Sequence, residues 1–177
     1  IIQKCLTSAR ARDAAKKARD LVIRKSALES MTLPGKLADC SDRDPNKTEL
    51  YIVEGDSALG SCKMGRDADF QAIMPVRGKI LNCLKSDYNV IFKSEIIVDL
   101  LKVLGCGVEI STKHNKDLSS FSMDMLRWNK IIICTDADVD GFQIRTLILA
   151  MLYRLTPTLI DEGKVFIAES PLFEITY

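Results

Sequence analysis

Four short apolar runs punctuate the chain, at Leu50–Val53, Ala72–Val76, Ile131–Cys134 and Val165–Ala168. Their length and their Val and Ile content predict buried β-strands. Between them the spacing changes to a helical period. Ile97, Leu100, Leu101 and Leu104 form one stripe, with Ser94 placed to cap its start and Gly105 to stop it. Ile144, Leu147, Ile148, Met151 and Leu155 form a second stripe, which Pro157 interrupts before a shorter helical piece ending at Gly163. Strands alternating with amphipathic helices predict an α/β fold: a parallel sheet of about four strands with helices on both faces. In such sheets ligands bind beyond the carboxyl ends of the strands. Glu54 and Asp136 sit one and two residues past the end of an apolar run, so two strands are expected to deliver carboxylates to one sheet edge.

Upstream the pattern differs. Residues 9–25 read as a helix with Ala11, Ala15, Ala18 and Val22 on one stripe and Lys and Arg over the rest. Its basic face reads as solvated surface or as a nucleic-acid or partner contact. Pro34-Gly35 breaks the chain, and the polar stretch from Asp39 to Lys47 reads as a loop. The chain opens at Ile1 without an initiator Met and is expected to be a piece of a longer protein. No apolar run approaches the roughly 20 residues of a membrane span, and no secretory signal is visible.

Charge changes the picture more than composition does. With 47% apolar and 28% charged residues the chain resembles an ordinary soluble globular protein, and its net charge is only +1. Residues 1–25, however, carry eight Lys/Arg against two Asp/Glu, out of totals of 25 and 24. The remainder is therefore acidic, and bulk charge would not draw it to nucleic acid. If that part meets DNA, a metal or a partner must supply the positive field. The six cysteines are dispersed without a C-x-x-C pair, and His114 is the single histidine. A zinc site and a disulfide framework are both disfavoured, and reduced thiols in a cytoplasmic protein are expected.

The strongest chemical signal is Asp136-Ala137-Asp138-Val139-Asp140-Gly141. Three alternating carboxylates repel one another unless a cation or solvent intervenes, and hard oxygen donors suit Mg²⁺, Mn²⁺ or Ca²⁺. An exposed acidic turn is the plainer alternative, although an apolar strand feeding into it argues against that. A calcium EF-hand fails, because its twelfth position must be Glu and here is Leu147. A dehalogenase-type phosphatase also opens with a strand and D-x-D. Such enzymes place further catalytic groups well downstream, yet only 37 residues follow Asp140; it stays as the runner-up. Gly55 and Gly60 have phosphate-loop spacing but are followed by Ser61-Cys62 where Lys-Ser/Thr is needed. Glu54-Gly55-Asp56-Ser57 suits metal ligation or proton transfer near a phosphate, though alone it is also an ordinary turn. Arg77-Gly78-Lys79 presents two cations either to phosphates or to solvent.

Taken in order, Leu33-Pro34-Gly35-Lys36-Leu37-Ala38-Asp39-Cys40, Glu54-Gly55-Asp56-Ser57-Ala58, Arg77-Gly78-Lys79-Ile80-Leu81-Asn82 and Thr135-Asp136-Ala137-Asp138-Val139-Asp140-Gly141 resemble the B subunit of bacterial type IIA DNA topoisomerases. That family comprises the gyrase and topoisomerase IV B subunits. The match is to their Toprim domain, a Rossmann-like parallel sheet, and Ser170-Pro171-Leu172-Phe173 is similar to its closing region. The resemblance implies that residues 1–30 end a preceding transducer domain, while 31–177 form the Toprim domain and the start of its tail. It implies Mg²⁺, with Mn²⁺ or Ca²⁺ as substitutes, held by Glu54, Asp136, Asp138 and Asp140. Glu54, Asp136 and Asp138 would be the catalytic carboxylates. Arg77, Lys79, Asp56 and Arg145 would lie at the DNA. The nucleophilic tyrosine would come from the A subunit in an A₂B₂ heterotetramer, and ATP would bind only in a separate N-terminal domain. A cytoplasmic, nucleoid-associated location and no membrane partner follow, as does inactivity of this chain alone. Two positions depart from the family pattern: Leu59-Gly60 stands where Gly-Gly is usual, and Gln143 where a His is usual. The stretch Asn82–Lys93 is also unfamiliar. These departures leave open a non-catalytic metal- or partner-binding module.

Overall fold

A computed structural model describes residues 34, 36–109, 121–169 and 171. The helix expected over 9–25, the basic segment 1–25, and Leu33, Gly35, His114, Ser170, Leu172 and Phe173 lie outside the described residues. The proposed division at residue 30 falls there too.

All four apolar runs form strands: β1 (Glu49–Glu54), β2 (Gln71–Val76), β3 (Lys130–Cys134) and β4 (Val165–Ile167). They make one sheet in the order β2-β1-β3-β4, with every pairing parallel. β1 is central: Val53 lies opposite Pro75 on one side and Cys134 on the other. The chain moves outward from β1 to β2, then returns past β1 to β3 and β4. Right-handed crossovers therefore place the helix after β1 on one face and those after β2 and β3 on the other. The point where the direction reverses lies between β1 and β3, the usual position of a ligand crevice in such sheets.

The helices are α1 (Gly55–Gly65), α2 (Tyr88–Ile91), α3 (Glu95–Leu104), α4 (Val139–Leu155) and α5 (Pro157–Asp161). Both predicted stripes pack inward. Ile97, Leu100, Leu101 and Leu104 of α3, and Ile144, Leu147, Ile148, Met151 and Leu155 of α4, join Leu50, Ile52, Ala72, Met74, Ile131 and Ile133 in one core. These sheet residues alternate along their strands, as the two-residue period of a pleated sheet requires. Trp128 anchors this core, with its indole N–H donating to the Val103 carbonyl at 2.7 Å. Helix α3 stops at Gly105, as its sequence predicts. Ser94 occupies the cap position, but its side chain makes no capping hydrogen bond; its carbonyl accepts from Val98 instead. Helix α1 is the element the apolar pattern does not announce. None of its residues is buried, so no stripe marks it in the sequence.

The Leu37–Cys40 segment closes the outer edge of β2. Ala38 and Ile73 exchange two backbone hydrogen bonds of 2.9 Å in an antiparallel bridge. The Arg66 guanidinium ties this edge down through the carbonyls of Ala38, Asp39 and Gln71 at 2.7–2.9 Å. Cys40, Cys62, Cys83, Cys106 and Cys134 are free thiols. Burial pushes those of Cys83 and Cys134 up to about 11 and that of Cys106 to about 12, which keeps them protonated. Among the described residues no helix is long and apolar enough to cross a membrane.

At the opposite end of the sheet from the acidic residues, Glu49 joins three strands. It accepts from Lys130 Nζ at 2.8 Å, the Tyr51 hydroxyl at 2.9 Å and Gln71 Nε2 at 3.2 Å. Burial alone would raise the Glu49 pKa, but these donors and the Lys130 charge outweigh it and hold the carboxyl below its ordinary value. A depressed folded pKa contributes stability above the unfolded pKa and loses it as pH falls through the folded one. Lys130 is about half-exposed, so the charge–charge part is small. Glu49→Gln is expected to cost about 1 kcal/mol at neutral pH. That difference should shrink below about pH 4.5 and disappear in stronger acid. Urea midpoints of both proteins at pH 7 and pH 3 measure it, and an undiminished gap at pH 3 would exclude the carboxylate charge as the source.

Candidate metal centre

Glu54 is the last residue of β1 and sits at the N-cap of α1. The turn from strand to helix takes no connecting residues, because Gly55 adopts φ 75°, a left-handed conformation that disfavours any side chain. Across the reversal point, β3 ends at Cys134, and Thr135 and Asp136 follow. Asp138 then caps α4, its Oδ1 accepting from the Gly141 N–H at 2.7 Å. This bond folds Asp136–Gly141 back on itself so tightly that a Cβ at Gly141 would lie 2.1 Å from the Asp136 carbonyl oxygen. Gly141 is thus required by the close approach of the backbone, which the sequence alone does not reveal.

Both acidic groups therefore stand at helix N-termini, where the peptide dipoles favour negative charge. Asp136, Asp138 and Asp140 are exposed, whereas Glu54 is half-buried. Its Oε2 is shut off from solvent and has no hydrogen-bond partner. Burial raises the Glu54 pKa first, and the charges of Asp136, Asp138 and Asp140 add to it, against a hydrogen bond from the Asp136 backbone. The aspartates are thus near enough for Glu54 to feel their charge. Among the described residues no three acidic, His or Cys side chains converge tightly enough to enclose an ion. The set is an open carboxylate edge and not a closed cage. It fits a hard divalent cation on two grounds: its donors are all carboxylates, and one buried oxygen lacks a partner.

The two expected cations of the Arg77-Gly78-Lys79 turn lie on the same edge, and both are paired. Lys79 Nζ is 3.0 Å from Asp140 Oδ1, and the Arg77 guanidinium contacts Asp56. Neither pairing was foreseeable, since the turn after β2 meets α1 and α4 only through the fold. Arg145 lies on α4, with its guanidinium 4.7 Å from the Phe142 ring centre. Phe142 is itself exposed, a surface aromatic beside the acidic cluster that motif reading passes over. Of the two departures, Leu59 is half-buried on α1 and Gln143 is exposed on α4.

A parallel α/β sheet with this carboxylate edge at its reversal point matches the Toprim domain family over residues 49–170, and the chain belongs to that family. Its relatives are specific. It is 51% identical to the DNA gyrase B subunit of Chlamydia muridarum over 176 residues, 99% of this chain and 21% of that protein. It is 53% identical to the DNA gyrase B subunit of Clostridium acetobutylicum over 176 residues, 99% of this chain and 26% of that protein. It is 50% identical to the type 2 topoisomerase B subunit of Aquifex aeolicus over 175 residues, 99% of this chain and 21% of that protein. The chain thus spans about a fifth to a quarter of the length of these curated relatives. Family membership sets the dehalogenase-type phosphatase aside.

Gly141→Ala is expected to destabilise the domain by about 1–3 kcal/mol, because the methyl group must displace backbone. Thermal unfolding of the variant measures this. A melting temperature equal to that of the wild type would show that the first turn of α4 is not held against Asp136.

Proposed function

We propose that this chain is the metal-binding DNA cleavage and religation domain of a type IIA topoisomerase B subunit. The observation that carries the reading is the meeting of Glu54 with Asp136, Asp138 and Asp140 at the reversal point of the sheet, with a buried Glu54 oxygen left unpartnered. About 50% identity to gyrase B subunits over nearly the whole chain supports it. Residues 1–30 then end the preceding transducer domain, and residues 31–177 comprise the Toprim domain and the start of its tail.

Glu54, Asp136, Asp138 and Asp140 are the residues that would hold Mg²⁺, with Mn²⁺ or Ca²⁺ as substitutes. A cation bound there supplies Lewis-acid stabilisation of phosphate charge and activation of the leaving oxygen. A tyrosine oxygen supplied by the A partner bonds to phosphorus as the bond to the 3′-oxygen breaks, and religation reverses both changes. Glu54 exchanges the proton at that 3′-oxygen, a role suited to a carboxyl group at the end of β1 beside Asp136. Asp136 sits between the two halves of the site, and Asp138 and Asp140 extend it along α4. Arg77, Lys79 and Arg145 face the DNA backbone, with Asp56 orienting Arg77. The working assembly is an A₂B₂ heterotetramer on double-stranded DNA. It passes strands with ATP hydrolysed in a separate domain, in the cytoplasm at the nucleoid.

In the full-length protein combined with its A partner, Asp136→Ala is expected to reduce Mg²⁺-dependent DNA cleavage roughly 100-fold or more. Cleavage at the wild-type level would remove the metal assignment. Mg²⁺ binding without cleavage by the wild-type complex would favour the non-catalytic module instead. Supercoiling measured against decatenation by the same complex separates a gyrase from a topoisomerase IV.

A further inference from the structure

The carboxylate edge already holds two cations of its own, and they differ in what a metal would do to them. Lys79 Nζ lies 3.0 Å from an oxygen of Asp140, which belongs to the proposed ligand set. Arg77 pairs with Asp56, which lies outside that set. Resting on the proposed function, we propose that Lys79 is a placeholder cation: it neutralises Asp140 until a divalent ion arrives, and is then released to a DNA phosphate. Metal binding and DNA binding are coupled through that one side chain.

Magnitudes favour the exchange. Both partners of the Lys79–Asp140 pair are more than half exposed, 54% and 67%. Pairs of this kind contribute little, up to about a fivefold preference. A divalent ion carries twice the charge of an ammonium at the same carboxylate, and it draws on Asp136 and Asp138 as well. The lysine is therefore the weaker competitor. Its four-carbon stem is flexible, and a Cβ placed at Gly78 beside it would meet nothing within 4 Å, so the turn has open space around it. Once displaced, the ammonium stands at the metal's edge with no acidic partner, beside the place where a phosphate would approach. The Arg77–Asp56 pair has no reason to open on metal binding, and it supplies a charge-matched comparison.

Three measurements on the full-length protein combined with its A partner, without nucleotide, test this. Mn²⁺ binding without DNA is read by electron paramagnetic resonance of the free ion. Lys79→Gln should bind Mn²⁺ about two- to fivefold tighter than wild type, the range set by an exposed pair. Arg77→Gln removes the same charge and should have a smaller effect, and Lys79→Arg should match wild type. The second measurement is the salt dependence of duplex DNA binding by fluorescence anisotropy, with and without Mg²⁺. A phosphate-bound lysine adds about one to the salt slope. Lys79→Gln should therefore lower the slope by about one in Mg²⁺ and leave it unchanged without Mg²⁺. Equal Mn²⁺ affinities for Lys79→Gln and Arg77→Gln would overturn the proposal, as would a slope change that ignores Mg²⁺. The third is Mn²⁺ binding by Asp138→Asn, which tests the ligand set itself. Weakened binding there alongside a failed Lys79 result leaves the metal site standing without the placeholder. A wild-type complex that binds no Mn²⁺ overturns both.

Discussion

Like-charge repulsion at the carboxyl ends of two adjacent strands is the constraint around which this domain is arranged. Parallel strands β1 and β3 bring Glu54 close to three aspartates, and nothing in the apolar core repays that cost. The fold answers it locally. Each acidic group opens a helix, two cations from the turn after β2 are drawn to the same edge, and Asp138 gives an oxygen to a backbone N–H. On the proposed function, the repulsion that survives is what would let this edge take up a divalent ion. An edge fully neutralised by its own protein would have little affinity left for one.

The rest of the structure serves to hold β1 and β3 in register. β1 is paired on both sides, and its alternating residues are locked between α3 and α4 on one face. A slip of one residue would turn Glu54 to the other face of the sheet. The Glu49 network fixes the same three strands at their far ends, through bonds from Lys130 and Gln71. The geometry of the carboxylate edge at one end is thereby tied to a polar clamp at the other.

Much of this was legible in the sequence, because burial leaves a periodic trace. The four strands, the stripes of α3 and α4, and the stop at Gly105 are all written in apolar spacing. The carboxylates were legible for a different reason: alternating aspartates after an apolar strand have few uses. What escaped was structure without burial or without local spacing. Helix α1 buries no residue and contains an internal glycine, so it reads as a turn. The pairing of Lys79 with Asp140, and the contact that excludes a side chain at Gly141, depend on chain segments brought together only by folding. Ser94 shows the converse, a capping residue type in the capping position whose side chain makes no cap.

Asp138 has a consequence for how such sites are dissected. One of its oxygens caps helix α4, while on the proposed function the other would serve a ligand. Alanine there removes a helix cap and a charge together, so a lost function could reflect either a loosened helix or a missing donor. Asparagine keeps a carbonyl oxygen for the Gly141 N–H and takes away only the charge. The residue is a hinge pin shared by two mechanisms, and the amide is the substitution that pulls them apart.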